Sequence, residues 1–274
     1  MMPYTLTLIR HGQSESNYAH LASQRGEKLR GEKELMSLHA SDRRMTNKGI
    51  EQARRAGEWF RQWYNEQASP KLKIDPRCYV SPYVRARETA AHLGLRTRWR
   101  LDIRLCERNW GEIEQLTYEE RHAKFSEVLE KQHEFAYFWR PHDGETLQDV
   151  FLRGRDFVGT LERQCEHMHV VCVTHGETMY VFRAIFEYLM PDQLRAAMSD
   201  SDTRTDMRNC RAIQYRRGVH ATREEYFSHV RFVDTSAPDD PGTNTDWIPI
   251  DRTLFSDKEL LASVEAFPRF FDNV

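Results

Sequence analysis

The chain has 274 residues, of which 39% are hydrophobic and 30% are charged. This composition is typical of a globular protein with a substantial buried core, and it excludes an intrinsically disordered chain. The 40 Lys and Arg residues are balanced by 42 Asp and Glu residues, and the formal net charge of -2 provides no overall attraction to nucleic acid or to anionic membranes.

Targeting signals and disulfides are not expected. No apolar run approaches the roughly 20 residues that span a bilayer, and residues 1–9 lack the pattern of a signal peptide. The five cysteines are widely spread without a C-x-x-C pair, which favours reduced thiols. No third ligand accompanies the closely spaced His167 and His169, so we expect no metal and no other cofactor. We predict a cytoplasmic protein with no membrane and no nucleic-acid partner.

The first part of the chain begins with a predicted strand. Residues 4–9 form a β-rich run that stops at the polar turn 10–12. Residues 18–44 are polar with weak periodicity, which predicts a long excursion with room for one short helix. After Thr46, apolar residues recur at spacings of three and four, and this pattern predicts a capped helix with one buried face.

Further strands and helices alternate in the middle of the chain. Residues 77–80 predict a second strand, and a helix that carries Arg85 follows it. Residues 96–101 predict a short, solvated edge strand because arginines alternate along it. The charged and aromatic segment 112–140 is predicted to be helical, and residues 147–166 predict a longer amphipathic helix.

The apolar, β-branched run 170–174 is typical of a strand buried on both faces of a parallel sheet. It ends at 175–176, where another helix is predicted. Residues 212–215 predict a late strand, residues 234–246 a loop, and Ser256 opens a capping box before a last helix. The alternation predicts a single α/β domain with three α/β/α layers around a mostly parallel sheet.

Two predicted strands end in a histidine followed by a glycine, at His11 and at His175. Because the carboxyl ends of parallel strands lie along one edge of a sheet, we expect the two imidazoles to face each other across one pocket. A neutral imidazole is a competent nucleophile near pH 7, and a protonated second histidine would add a charged donor.

Other residues near the predicted strand ends suit an anion. Arg10 and Arg85 can present charged, planar forks to phosphate oxygens, and Asn17 can add a neutral donor. Glu107, in a glycine-ended loop, can protonate a leaving alkoxide. The alternative for Glu107 is a loop carboxylate paired with Arg104 or Arg108. Together these residues predict metal-independent phosphoryl transfer.

Residues 10–17 resemble the R-H-G-x-S-x-x-N signature of the histidine phosphatase superfamily, which includes the cofactor-dependent phosphoglycerate mutases. Supporting motifs follow in the family's order, at residues 46–53, 81–90, 105–111, 144–146 and 173–176. The similarity spans residues 4 to about 190, and six ordered motifs are specific where R-H-G alone is not.

The resemblance implies a phosphoglycerate mutase-like fold and a role for each matched residue. His11 would accept the phosphoryl group, and Glu107 would act first as acid and then as base. The phosphate oxygens would be held by Arg10, Asn17, Arg85, His175 and Gly176. The candidates for the substrate pocket are Gln13, Ser14, Arg108, Trp110 and Glu177. Family members perform this reaction without metal or another cofactor.

We expect a single histidine phosphatase domain over residues 1–274. We expect an insertion at about 18–44, a helical cap-like segment at about 112–142 and a C-terminal extension from about 218, with the first two forming the pocket walls. The expected partner is a small phosphorylated substrate, and a homodimer is possible.

Departures from the mutases favour hydrolysis. The tryptophan-containing motif and the basic substrate-contact motif of the mutases are missing, and Glu177 stands where mutases usually have asparagine. Two alternatives remain at this stage, a mutase-type phosphotransferase and a non-catalytic module that binds a phospho-ligand or a protein.

Overall fold

The computed structural model describes residues 1–67, 76–134, 137–218, 227–252 and 254–271, with the side chains of all but 127–134. A central sheet of seven strands runs through this part of the chain. The strands are β1 Thr5–Arg10, β2 Arg77–Val80, β3 Trp99–Leu101, β4 His169–Thr174, β5 Arg211–Arg216, β6 His229–Asp234 and β7 Ile248–Pro249.

Nine α-helices lie in the described ranges. They are α1 Glu15–Gln24, α2 Glu32–Ser37, α3 Asn47–Gln67, α4 Val84–His92, α5 Tyr118–Glu134, α6 Leu147–Gln164, α7 Gly176–Glu187, α8 Pro191–Ser199 and α9 Asp257–Val264. Short 3₁₀ turns lie at Ala40–Asp42, Ile103–Leu105 and Gly111–Gln115.

The strand order is β3-β2-β4-β1-β5-β6-β7. The pairs from β3 to β1 are parallel, whereas β5, β6 and β7 pair antiparallel. Because β6 runs antiparallel to β5, it regains the direction of β1, and five of the seven described strands point the same way. The predicted mostly parallel α/β sheet is confirmed, with an antiparallel edge that the sequence did not predict.

The core lies on both faces of this sheet. Along β4, Val170 and Cys172 belong to one cluster of buried side chains, and Val171 and Val173 belong to another. Helices α6 and α7 cover the first face, and α3 and α4 cover the second. A strand that is apolar at every position is therefore buried on both sides, as the run 170–174 predicted, and the result is three layers.

Some sequence predictions need correction. The excursion 18–44 contains most of α1, all of α2 and a 3₁₀ turn rather than one short helix. The edge strand begins only at Trp99, and Arg96 cannot belong to it because its backbone is left-handed (φ 51°). Helix α8 and strands β6 and β7 were not predicted. The alternation of polar and apolar residues over 229–232 is a signal for β6 that the prediction did not use, and β7 is only two residues long.

Residues 254–271 project outward. Helix α9 begins with the predicted capping box, in which Ser256 Oγ accepts from the Glu259 backbone. None of its residues is buried, and Phe267, Phe270 and Phe271 are all more than two-thirds exposed.

No helix in the described part of the chain is long and apolar enough to cross a bilayer. All five cysteines are thiols, and only Cys106 is partly accessible.

Two glycines bring α3 against the turn that follows β1. A Cβ on Gly49 would lie 2.2 Å from the Gln13 carbonyl oxygen, and one on Gly12 would lie 2.4 Å from the Gly49 carbonyl oxygen. The backbones of the turn and of the first turn of α3 are therefore in contact. Thr46 completes this junction, because its hydroxyl accepts from Gly49 N and donates to Gln13 Oε1.

Gly49→Ala should lower the free energy of unfolding by about 1–3 kcal/mol, because the added methyl group forces α3 away from the turn. Urea unfolding of both proteins measures the change. Gly159→Ala is the matched control, because only the guanidinium end of Arg163 lies near its Cβ position within α6. Equal stabilities for Gly49→Ala and the wild type would mean that this close contact is not maintained in solution.

Candidate active site

The ends of β1 and β4 bring the two histidines together. Arg10 pairs with Thr174 in the parallel register, so His11 and His175 leave the sheet from neighbouring positions. The His11 backbone N–H donates to Thr174 O over 3.0 Å, and the two ring centroids are 5.1 Å apart. The predicted juxtaposition at one sheet edge is present.

The His11 ring has a defined tautomer. Its Nδ1 lies 2.7 Å from the Gly12 carbonyl oxygen, which can only accept, so Nδ1 carries the proton and Nε2 carries a lone pair. Arg85 Nε donates to this Nε2 over 3.1 Å. Burial, with the nearby charges of Arg85 and Arg10, holds the pKa of His11 well below its usual value. The residue is therefore a neutral imidazole that carries its lone pair on Nε2.

His175 is neutral as well. Burial and then the charge of Arg85 hold its pKa well below the usual value, which corrects the idea of a protonated donor at this position. Its Nε2 shares a 2.8 Å hydrogen bond with Ser81 Oγ at the end of β2. Its Nδ1 is buried and has no partner among the residues described. The side chain is fully buried beside the His11 ring and does not line the cavity itself.

Two guanidinium groups flank His11, that of the buried Arg85 and that of the partly buried Arg10. Arg10 donates through NH1 to Met207 O, and its Nε is buried without a partner in the described ranges. Arg85 donates through NH1 to Ala40 O over 2.5 Å. Burial lowers the pKa of both arginines, and the opposing charge of Glu107 offsets part of that effect. Both groups remain cationic at neutral pH because the usual arginine value is above 12.

Asn17 belongs to the start of α1 and also lines the cavity. Ser14 caps this helix, and the Asn17 side chain completes a capping box by accepting from Ser14 N over 3.1 Å. Asn209 Nδ2 donates to the same Asn17 oxygen and to His11 O, each over 3.1 Å. The Asn17 carbonyl oxygen is thereby occupied, and its amide N–H groups remain as the donors that a ligand can use.

Glu107 is held at the cavity by the loop that follows β3. Its Oε1 accepts from Arg108 N over 3.1 Å and from both the backbone and hydroxyl of Thr178 over 3.2 Å. Arg104 instead pairs with Asp102 and Asp156, so the alternative ion pair of Glu107 with Arg104 is absent from the described contacts.

Two predicted pocket residues do not line the cavity. Gln13 is buried at the junction with α3, where its side chain accepts from Thr46. Arg108 is fully buried, stacks over Trp110 and donates to the carbonyl oxygens of Glu145 and Trp139. Both residues support the site from behind.

The cavity has a volume of about 820 Å³, which is in the range of small-molecule sites. The predicted residues that line it are Arg10, His11, Ser14, Asn17, Arg85, Glu107, Trp110, Gly176 and Glu177. Its walls come from α1, α2, α5 and the 3₁₀ turn at Gly111–Gln115, as expected of the segments 18–44 and 112–142. No group of three or more metal-binding side chains occurs among the residues that the structure describes.

Sequence reasoning missed several residues of the site. Those at the outer wall are His20, Arg43, Glu114, Tyr118, Arg121 and His122, and those before β5 are Asp206, Met207 and Arg208. The first group lies in the two predicted wall segments. From sequence alone, the charged residues that face the cavity in these segments cannot be told from those that face solvent. The second group lies almost 200 residues from His11 and carries no motif. It reaches the site because β5 pairs antiparallel with β1.

The sequence model of the histidine phosphatase superfamily (branch 1) matches residues 6–205. The chain is 27% identical over 233 residues to a 2,3-bisphosphoglycerate-dependent phosphoglycerate mutase of Azorhizobium caulinodans, covering 82% of this chain and 97% of that protein. It is 27% identical over 186 residues to a 6-phosphofructo-2-kinase/fructose-2,6-bisphosphatase of Caenorhabditis elegans, covering 68% of this chain and 35% of that protein.

Solved structures share the fold. The native structure of a mycobacterial glucosyl-3-phosphoglycerate phosphatase is 26% identical, with a TM-score of 0.56, and the match covers 77% of this chain and 89% of that one. YhfR of Bacillus stearothermophilus is 24% identical, with a TM-score of 0.60, and the match covers 78% and 92% of the two chains. The relatives thus include both phosphatases and mutases.

Proposed function

The chain belongs to the histidine phosphatase superfamily (branch 1), and from this membership we propose that it is a phosphomonoesterase acting on a small phosphorylated metabolite. The observation that carries the proposal is a neutral, buried His11 whose Nε2 lone pair accepts from the buried Arg85, with the charge of Arg10 also acting on the ring. Two polar atoms beside it, Arg10 Nε and His175 Nδ1, are buried without partners in the described part of the chain. Such atoms suit the oxygens of a phosphate group.

In the first step, His11 Nε2 attacks the phosphorus atom, and the bond from phosphorus to the ester oxygen breaks. Arg10 and Arg85 neutralise the charge on the equatorial oxygens, and the Asn17 amide adds a neutral donor. The leaving alkoxide takes a proton from Glu107. In the second step, water attacks phosphohistidine, the nitrogen–phosphorus bond breaks, and the carboxylate receives the water proton. In this scheme the arginines provide the positive charge, so a chelator should leave the rate unchanged.

Phosphate release from a panel of phosphorylated sugars, nucleotides, lipids and phosphoproteins tests the proposal. We expect hydrolysis of small phosphoesters that fit a cavity of about 820 Å³. Absence of turnover on the whole panel, by the wild type and by His11→Ala alike, would favour a non-catalytic binding module.

A phosphotransferase of the mutase type is the second candidate, because the Azorhizobium relative is a mutase and aligns over 97% of its length. The two activities differ in their products. Hydrolysis releases one phosphate for each substrate molecule consumed, whereas a mutase returns an isomer of the substrate without net phosphate release. Parallel assays of free phosphate and of isomerised phosphoglycerate separate them.

Glu107→Gln should slow the hydrolysis of alkyl phosphates by roughly 10²–10⁴-fold, because their alkoxides need a proton as they leave. Nitrophenyl phosphate should slow much less, since nitrophenolate leaves without protonation. Steady-state rates on both esters give the comparison. Equal slowing of the two esters would show that Glu107 is not the acid.

We further propose a cytoplasmic, single-domain enzyme with no nucleic-acid or membrane partner. The location is supported by the five reduced thiols. Sedimentation velocity of the purified protein tests whether it forms a homodimer.

A further inference from the structure

A second cavity lies at the opposite end of the sheet from the active site. Its lining includes Pro76 and Arg77 at the start of β2 and Met168 directly before β4, whereas His11 and His175 follow the carboxyl ends of their strands. The six residues of β4 separate the two cavities by about 20 Å. The second cavity has a volume of about 500 Å³, which is within the range of small-molecule sites. No step of the proposed reaction uses it.

Four arginines line this second cavity, and the other residues that line it are uncharged. The arginines are Arg77, Arg96, Arg98 and Arg100. Arg77 is half-buried, and the other three are exposed. Among the described residues, the carboxylates nearby in the chain have other partners, because Asp102 pairs with Arg104 and Glu166 pairs with the chain's amino group. The positive charge of the second cavity is therefore not neutralised by the described part of the protein.

Strand pairing brings these like charges close together. Strands β2 and β3 are parallel, and Tyr79 is the partner of Arg100 in their register. Because side chains alternate along a strand, Arg77 shares the face of Tyr79 and Arg100, one strand spacing of about 4.8 Å away. Arg98 precedes Arg100 by two residues and lines the same cavity. Like charges on neighbouring strands repel each other, so the sheet carries an unfavourable electrostatic interaction at this edge.

The chemistry of the lining indicates which ligand would remove this repulsion. Guanidinium groups present planar pairs of N–H donors that match the oxygens of a phosphate group. Four positive charges exceed what a single phosphate group can balance, so the lining suits a compact anion with two or more phosphate groups. The Thr97 side chain adds a hydroxyl donor to the same cavity.

The shape of the second cavity favours a small, soluble anion. The arginines surround a concave space and do not form the extended stripe that follows a nucleic-acid backbone. The apolar residues of the lining, Pro76 and Met168, are both partly buried, and they do not offer the exposed apolar face that inserts into a bilayer.

We propose that this second cavity binds a small, soluble anion that carries at least two phosphate groups. The binding is separate from the active site and does not rest on the proposed phosphatase function. No covalent bond forms or breaks in it. The anion neutralises the guanidinium groups at the amino ends of β2 and β4, and it therefore stabilises the folded protein.

Calorimetric titration with methylenebisphosphonate tests the proposal. This probe carries two phosphonate groups, and its P–C–P linkage cannot be hydrolysed as a phosphoester is. Because the active site also suits phosphate groups, the titration uses the Arg85→Gln protein, in which that site is weakened. We expect binding to this protein. Adding Arg98→Gln and Arg100→Gln should weaken the binding at least about tenfold, because two charged donors are lost.

Arg54→Gln with Arg55→Gln is the matched control in the same Arg85→Gln protein. Both arginines are exposed on α3 and do not line the second cavity, so the net charge changes equally and the affinity should stay within about twofold. In an otherwise wild-type chain, Arg98→Gln with Arg100→Gln should leave kcat/KM on a phosphoester unchanged. An unchanged affinity in the Arg98 and Arg100 variant, or an equal loss in the control, overturns the inference.

Thermal unfolding supplies a second readout with a distinctive sign. Without the probe, Arg98→Gln with Arg100→Gln should be at least as stable as the parent protein, because like charges have been removed. With the probe, the parent protein should gain several degrees in Tm and the variant should gain much less. A variant that is clearly less stable without the probe would show that the arginines are structural, and this result overturns the inference.

Two further measurements keep the test decisive. If the variant with both changes does not fold, Arg96→Gln alone should weaken probe binding at least about threefold, because Arg96 is exposed and lies outside the strand. Vesicles of phosphatidylcholine with phosphatidylinositol 4,5-bisphosphate provide the same chemistry on a membrane. Binding to these vesicles without binding of the free probe would identify a membrane contact and overturn the proposal of a soluble ligand. None of these outcomes bears on the phosphatase function.

Discussion

Replacing His11 with alanine should lower kcat for phosphoester hydrolysis by at least about 10⁴-fold, because the attacking nitrogen is lost and no other group takes its place. The charged and polar groups that remain can still bind the substrate, so the KM should change far less than kcat. Within the described part of the chain, the ring makes hydrogen bonds only to Gly12 O and to Arg85, so the fold should survive.

Covalent labelling is the most direct measurement of this role. A substrate with a radioactive phosphoryl group should label the wild type, and the label should be stable to alkali and labile to acid, as a phosphorus–nitrogen bond is. His11→Ala should take up no label, and circular dichroism should show an unchanged fold. His142→Ala is a matched control, because that histidine is exposed. Undiminished turnover or labelling in His11→Ala would exclude the proposed mechanism.

Arg85→Gln should lower kcat/KM by about 10³-fold, the second-largest effect that we expect. Glutamine keeps a polar side chain of moderate length, but it removes the buried charge that faces the His11 Nε2 and the phosphate oxygens. Arg85→Lys should be intermediate, since it retains the charge and loses the planar fork that matches two phosphate oxygens.

The neighbour two positions along the same helix gives the control for this prediction. Arg87 is exposed on α4, so Arg87→Gln should keep the wild-type kcat/KM.

Loss of the charge at Arg85 should also shift the acid limb of the pH profile. The cation is one of the groups that keeps His11 unprotonated, so without it the His11 pKa rises and activity is lost at a higher pH. A kcat/KM for Arg85→Gln within about threefold of the wild type would contradict the role.

The placement of the two histidines was predictable from sequence for a physical reason. Residues that follow two neighbouring parallel strands must emerge at one edge, and the apolar runs before His11 and His175 identify those strands. Arg85 and Glu107 were candidates because they follow predicted strand ends in a helix and a loop, and the family resemblance gives each of them a specific role. The sheet, the core and the meeting of the two histidines were thus expected in outline.

The orientation of individual side chains was not predictable. Arg108 and Trp110 stand two residues apart in one motif, yet Trp110 lines the cavity and Arg108 is fully buried behind it. Sequence alone also misses the contribution of Met207 and Asn209, because the segment before β5 carries no local pattern that shows its position beside β1. The positions of these residues depend on which strands pair across long distances in the sequence. That pairing is a property of the whole chain and not of any local pattern.

The loop before β5 is the last part of the active site to be made. Met207 O accepts from Arg10, and Asn209 bridges His11 O and the Asn17 side chain. A chain growing on the ribosome therefore carries all six motifs by residue 176, while the turn at His11 still lacks these contacts. We expect the proposed activity only once β5 has been synthesised and has added to the sheet beside β1.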